Sequence, residues 1–442
     1  MSRQIDDPHA LTAAHEHIDP DYPIDPVPPH ARKSLFSVAI VLLGFTFFTP
    51  TMLAAADIAP AFRFWPLMGV LLLGSAVLGV YVAVLGAIGA RTGLTTVLMA
   101  RYSFGDKGSK LVSLLLGGTQ IGWYGVTVGF LAELLMGTFG WSGTPALWGL
   151  MILSGAVMGA TAYYGYKGMY LLSVVSVPLL LVLAAYVTVR SFQEVGGLAG
   201  MTAKAPTTSL GLATAVTIIV GTFASGGTQA PNWTRFARTV RTGFWAALIA
   251  FLVGEFLMLF FGAVGARAFD QPDFTAVLIT LGLTFWGVVF LIGNLWTTND
   301  NTAYNFGVAG AEIFNSPTKK PFVIGGVVLG TLLALGGIYA RLPDYLVLLG
   351  TFIPPVGGVI IGDYLARWRH GLPAVQTHSF PAVRWETLLA YALGALAAWW
   401  TGKIEWGIPP VNGIVVALLA TMLASRLTAP AETARTQTAD AP

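Results

Sequence analysis

The chain has 442 residues, is 55% hydrophobic and only 10% charged, carries a formal net charge of +3 and contains no cysteine. A soluble domain carries about 25% charged residues, so depletion on this scale makes lipid the solvent. Without cysteine there are no disulfides, thiolate metal sites or cysteine nucleophiles.

Residues 1–33 are polar, acidic and proline-rich and hold no apolar core of the kind a secretory signal has. They are expected to form a disordered cytoplasmic tail. A single transmembrane domain is expected over 34–428, and residues 429–442 read as a second cytoplasmic tail. Apolar segments of about 20 residues, the length that crosses a bilayer core, recur throughout the domain. Twelve are predicted, at 35–57, 66–90, 110–137, 145–164, 169–189, 209–230, 243–267, 276–310, 320–340, 343–363, 385–402 and 408–427. The eighth is longer than a bilayer needs and must tilt or project.

Basic residues test this count. With the N-terminus in the cytoplasm, 18 of the 24 Lys and Arg fall on the inner side and 6 on the outer side. A wrong number of spans would scramble that asymmetry.

Two spans are interrupted. The first carries Gly44 and then Pro50 in mid-span, in "LLGFTFFTPTM", and the sixth carries Gly221, Gly226, Gly227 and Pro231, in "IIVGTFASGGTQAP". Bare backbone in lipid is costly and survives where protein covers it or a wet cavity adjoins it. Paired breaks in two halves of a bundle point to a transporter site. Thr46 to Phe223 and Gln120 to Thr297 are both separated by about 177 positions. One offset therefore maps span 1 onto span 6, span 3 onto span 8, and span 5, with Pro178, onto span 10, with Pro354 and Pro355. Five spans per unit is odd, so the second unit enters the membrane inverted. The expected fold is all-α: two inverted five-helix repeats, about 34–190 and 208–364, followed by two extra helices at about 385–427. Close helix packing through small residues would also account for glycines of this kind.

Polar residues gather on three spans. Span 3 holds Gln120 and Trp123 in "GGTQIGWYG"; span 6 holds Thr222, Phe223, Ser225 and Thr228; span 8 holds "GNLWTTNDN", Gly293–Asn301, inside an otherwise apolar segment. Amides offer donors and an acceptor, and aromatic rings offer flat apolar faces. Together these groups suit a small, flat, uncharged, hydrogen-bonding ligand. Singly, each has a plainer role: Trp123 as packing, Gln120 and Asn299 as glue between helices, Thr297 and Thr298 bonded back to their own helix. The constellation lifts the functional reading. All six histidines lie in tails or in the loop after span 10, so no histidine relay or metal site is expected within the membrane. Glu133 in span 3 and Glu255 in span 7 are two carboxylates within the membrane, while Asp300 and Asn301, toward the cytoplasmic half of span 8, could cap or pair locally. Such acids default to a functional hypothesis, and Glu255, near mid-span, is the better candidate for a proton site.

Three long motifs, "GLTTVLMARYSFGDKGSKLVSLLLGGTQIGWYG" (93–125), "NLWTTNDN" (294–301) and "PPVGGVIIGDY" (354–364), resemble the bacterial cytosine permeases of the nucleobase:cation symporter family. The similarity runs from about Pro26 to about Leu427. The resemblance implies a leucine-transporter-like fold and import of cytosine or a related nucleobase across the bacterial inner membrane. It implies a base stacked between Trp123 and Phe223, with edge contacts from Gln120, Asn299 and the backbone around Thr222 to Ser225. It implies a coupling sodium ion held by the carbonyls of Gly44, Phe47 and Asn294 and the hydroxyls of Thr297 and Thr298. No other cofactor and no obligate protein partner is expected. Neither Glu133 nor Glu255 belongs to the resembling motifs. A related importer of a purine, hydantoin or vitamin precursor with proton coupling is the alternative. A membrane enzyme would need clustered acids, bases or metal ligands within the spans, and the sequence offers none.

Overall fold

The computed structural model describes residues 19–427. Among these, helices stand at all twelve expected places. The first is broken into α1a (Leu35–Thr46) and α1b (Thr49–Ile58). It is followed by α2 (Phe64–Thr92), α3 (Asp106–Phe139), α4 (Thr144–Tyr163), α5 (Tyr166–Glu194) and α6 (Leu212–Thr228). Then come α7 (Val240–Phe269), α8 (Thr284–Ile313), α9 (Lys320–Leu335), α10 (Leu342–Phe352 with Pro354–Asp363), α11 (Trp385–Lys403) and α12 (Pro409–Leu427). Seven are individually long and apolar enough to cross a membrane, and the bent α1 pair makes an eighth. Among the others, α9 has only 16 residues and α8 carries the polar stretch.

α1–α5 and α6–α10 are the two inverted five-helix repeats, with α11 and α12 packed on the second half of α10. α3 lies against α8, α6 against the first half of α10, and the second half of α7 against α1b. Large side chains such as Leu114, Leu171, Val175 and Val182 are exposed, as suits a surface that faces lipid. The polar stretch of α8 is buried instead, from Asn294 through Asn305 except for half-buried Trp296. The hydrophobic pattern is thus inside out along that helix, and the polar face needs partners within the protein.

Both expected breaks are real. The chain leaves α1a through Phe47 (φ −77°, ψ 92°) and Phe48 (φ −141°, ψ 120°), and α1b departs at 55°. Pro50 falls in the first turn of α1b, where its missing N–H costs nothing. In α6 the irregular residue is Phe223 (φ −130°, ψ 15°), ahead of Gly226 and Gly227. α7 has a π-helical turn, Ile249–Gly254, immediately before Glu255.

Two expectations are corrected. The eighth span does not begin at 276: Phe274–Thr280 is a separate short helix, and a turn at Gly282, with φ +77°, precedes α8. The polar N-terminal segment is not loose over residues 19–33. Asp19 and Asp21 are buried and pair with Lys319 at 3.4 and 2.8 Å. Arg235 donates to the carbonyls of Asp21 and Tyr22 and, at 2.9 Å, to the hydroxyl of Tyr304. Composition misleads here because the segment has no core of its own; its order comes from two buried cations on the helical domain. The rest of that tail, and the expected C-terminal tail at 429–442, lie outside the described residues.

Candidate functional site

The two helix breaks face each other across a small box of aromatic rings. Phe45 of α1a meets Phe223 of α6 edge-on, with ring centroids 5.2 Å apart. Phe48, in the α1 break, lies 5.4 Å from Trp123 of α3 and 5.8 Å from Phe223. Offset and edge-on contacts are the favoured aromatic geometries. Between the rings is a cavity lined by Phe45, Phe48, Gln120, Trp123, Thr222, Phe223, Gly226, Thr298 and Thr302. Its free space is about 10 Å³, enough for roughly one water.

Polar groups are sparse and placed. Gln120 Nε2 donates to Ser225 Oγ at 2.8 Å, and Ser225 Oγ is 2.5 Å from Thr119 Oγ1. The Gln120 carbonyl oxygen is buried and has no protein donor. Thr222 Oγ1 is 2.7 Å from the Ile219 carbonyl and 2.8 Å from Glu255 Oε1. Glu255 is fully buried, and its second oxygen has no partner.

A second oxygen cluster adjoins the cavity where α8 crosses the α1 break. Thr298 Oγ1 lies 3.1 Å from the carbonyl of Phe45, 3.2 Å from that of Phe47 and 3.3 Å from that of Asn294. One hydroxyl hydrogen cannot serve three carbonyls. Such a surplus of acceptors is the donor set a hard cation prefers. Among the described residues no group of three or more His, Cys, Asp or Glu is placed to hold a metal. The cluster's own atoms are backbone carbonyls and a hydroxyl, all neutral, which suits a monovalent ion. Asn294 Oδ1 fastens the start of α1b by accepting from Thr49 N and Oγ1, at 2.5 and 2.8 Å.

The expected site residues are mostly brought together. Gln120, Trp123, Thr222 and Phe223 line one cavity, with Ser225 bonded behind Gln120. Phe47, Asn294 and Thr298 share the oxygen cluster. Four residues stand elsewhere. Asn299 turns from the cavity and donates to Met158 Sδ of α4 at 3.3 Å. The cavity side of α8 carries Thr298 and Thr302, four apart, and Asn299 is about 100° round from it. Thr297 Oγ1 bonds back to the carbonyls of Gly293 and Asn294, at 2.9 and 3.0 Å. Gly44 packs against Ser173, and the α1a carbonyl that meets Thr298 belongs to Phe45. Glu133 is exposed on α3, away from the cavity. Sequence reasoning missed Phe45, Phe48 and Thr302, and named Gly226 only as part of the break. Helical spacing from Thr298 would have found Thr302, and adjacency to the break would have found Phe48.

Residues 26–422 match the family model described as permease for cytosine/purines, uracil, thiamine and allantoin. The chain belongs to this permease family. It is 38% identical over 405 residues to the cytosine permease of Escherichia coli (strain K12), covering 92% of this chain and 94% of the relative. It is 24% identical over 440 residues to the hydantoin permease of Microbacterium maritypicum, covering 90% and 87%. Among solved structures it resembles Mhp1, a nucleobase-cation-symport-1 family transporter in a closed conformation with bromovinylhydantoin bound (TM-score 0.82, 19% identity, 93% and 95% covered). It also resembles a sodium-coupled sialic acid symporter (TM-score 0.65, 12% identity, 90% and 91% covered). The last two likenesses concern the fold. The protein is a multi-pass membrane transporter and not an enzyme.

Proposed function

We propose that the protein imports cytosine across the bacterial inner membrane by alternating access, coupled to sodium, with both termini in the cytoplasm. The observation that carries this is the cavity itself: Gln120, Trp123, Thr222 and Phe223 meet at the facing helix breaks of a chain 38% identical to a cytosine permease. Two aromatic faces accept a planar ring, and the unpartnered Gln120 oxygen accepts from an exocyclic amino group. Backbone around the α6 break, from Thr222 to Ser225, reads the rest of the edge. The oxygen cluster of Phe45, Phe47, Asn294 and Thr298 would hold the ion. An ion there ties α1 to α8 and so favours the form that binds base. The two repeats, about 34–190 and 208–364, then move against each other around the site. No cofactor and no protein partner is required.

A second reading takes another flat heterocycle with proton coupling. Its support is the Thr222–Glu255 contact, which sets a carboxyl one residue behind the cavity wall. Uptake of radiolabelled cytosine into cells, with unlabelled bases as competitors and with sodium replaced by choline, separates the two. Sodium-dependent uptake, inhibited best by cytosine, is the expected result.

A further inference from the structure

We infer that Phe48 sets the size limit of the binding site, acting as a movable third ring between the two aromatic faces. This rests on the transport reading above and extends it to substrate class.

Phe48 touches both Trp123, at 5.4 Å and 71° between ring planes, and Phe223, at 5.8 Å and 59°. All three rings are buried and all line the same cavity. With about 10 Å³ free, that cavity does not admit a six-membered ring beside the three side chains in their present places. One ring must therefore move before a base can stack. Trp123 and Phe223 are each committed to a further neighbour: Trp123 packs on Tyr345 at 5.4 Å, and Phe223 packs on Phe45 and on Phe251. Trp123 is also carried by unbroken helix. Phe48 is carried by the two-residue break, outside both half-helices, and its backbone carbonyl accepts from Thr51 N at 3.1 Å at the start of α1b. It is the ring with the most freedom to swing.

The volume that Phe48 vacates, and the volume it still fills afterwards, decide which heterocycles fit. A one-ring pyrimidine needs a small displacement. A two-ring purine, or a heterocycle with a bulky substituent, needs a larger one. Pockets of this kind discriminate by about tenfold or more per small change in side-chain volume.

The test is competition binding to purified protein, with labelled cytosine and with unlabelled cytosine, adenine and a 5-substituted hydantoin as competitors. Phe48→Ala is expected to strengthen adenine and the hydantoin by about tenfold or more relative to cytosine. Phe48→Leu should shift them in the same direction by less, and Phe48→Trp should weaken cytosine itself. Leu and Trp variants keep an apolar side chain and carry the test even where the Ala variant does not fold. Folded variants that rank the competitors as wild type does would overturn the inference. Wild-type protein that binds no base would overturn the transport reading, and the inference with it.

Discussion

Thr222 Oγ1 and Glu255 Oε1 lie 2.8 Å apart in the membrane interior, and the same hydroxyl is 2.7 Å from the Ile219 carbonyl. The hydroxyl has one hydrogen and faces two acceptors. The arrangement closes if the carboxyl donates to Thr222 while Thr222 donates to Ile219. Glu255→Gln keeps a donor at that point, whereas Glu255→Ala leaves a buried hydroxyl with a lost partner. Thr222 keeps its Ile219 bond in that variant but loses the contact that fixes its hydroxyl at the cavity wall. The expected outcome is cytosine affinity near wild type in Glu255→Gln and weakened about tenfold in Glu255→Ala, read by equilibrium binding. Wild-type affinity in a folded Glu255→Ala protein would detach Glu255 from the site.

The aromatic clamp gives a simpler prediction. Stacking contributes about 0.5–1.5 kcal/mol beyond the area it buries. Phe223→Ala should weaken cytosine binding by about tenfold or more while expression and folding persist. Unchanged affinity would mean that the base does not stack on Phe223.

Selectivity is assigned to backbone. A side-chain amide can flip to present either group, so Gln120 alone does not separate cytosine from uracil. Gln120→Ala should lower cytosine affinity and retain preference for cytosine over uracil. Competition with the two bases reads both quantities. Intact affinity with lost preference would reverse this division of roles.

The N-terminal segment makes a stability prediction. Lys319 is buried against Asp19 and Asp21, and removing it leaves two buried carboxylates without their cation. Breaking one side of a buried pair costs about 3–5 kcal/mol. Lys319→Ala should lower the unfolding temperature in detergent more than Asp21→Asn does. Equal unfolding temperatures for wild type and Lys319→Ala would show that the contact contributes nothing.

Fold and site differed in how far they could be read. Helix positions followed from apolar length and charge asymmetry, because lipid forces both. The breaks followed from Gly44, Pro50, Gly226 and Pro231, whose backbone properties do not depend on context. Which way each α8 side chain points did not follow. A run such as Thr297, Thr298, Asn299 turns about 100° per residue, and only tertiary packing decided that Thr298 meets α1 while Asn299 meets Met158. Phe48 is legible only through its adjacency to the α1 break, since an aromatic residue in an apolar segment carries no signal of its own. The ordered acidic segment around Asp21 was hidden because its partners, Arg235 and Lys319, lie more than 200 residues away.

In the proposed function, ion and base bind as linked ligands on two sides of the α1 break. Linkage requires sodium to raise base affinity and base to raise sodium affinity by the same factor. The most direct measurement is titration of purified protein with cytosine at several sodium concentrations and several pH values. The expected result is an affinity that rises with sodium, with a smaller rise in Thr298→Ala, whose hydroxyl joins the carbonyls of Phe45, Phe47 and Asn294. An affinity that ignores sodium and follows pH would contradict the account and move the coupling site to Glu255.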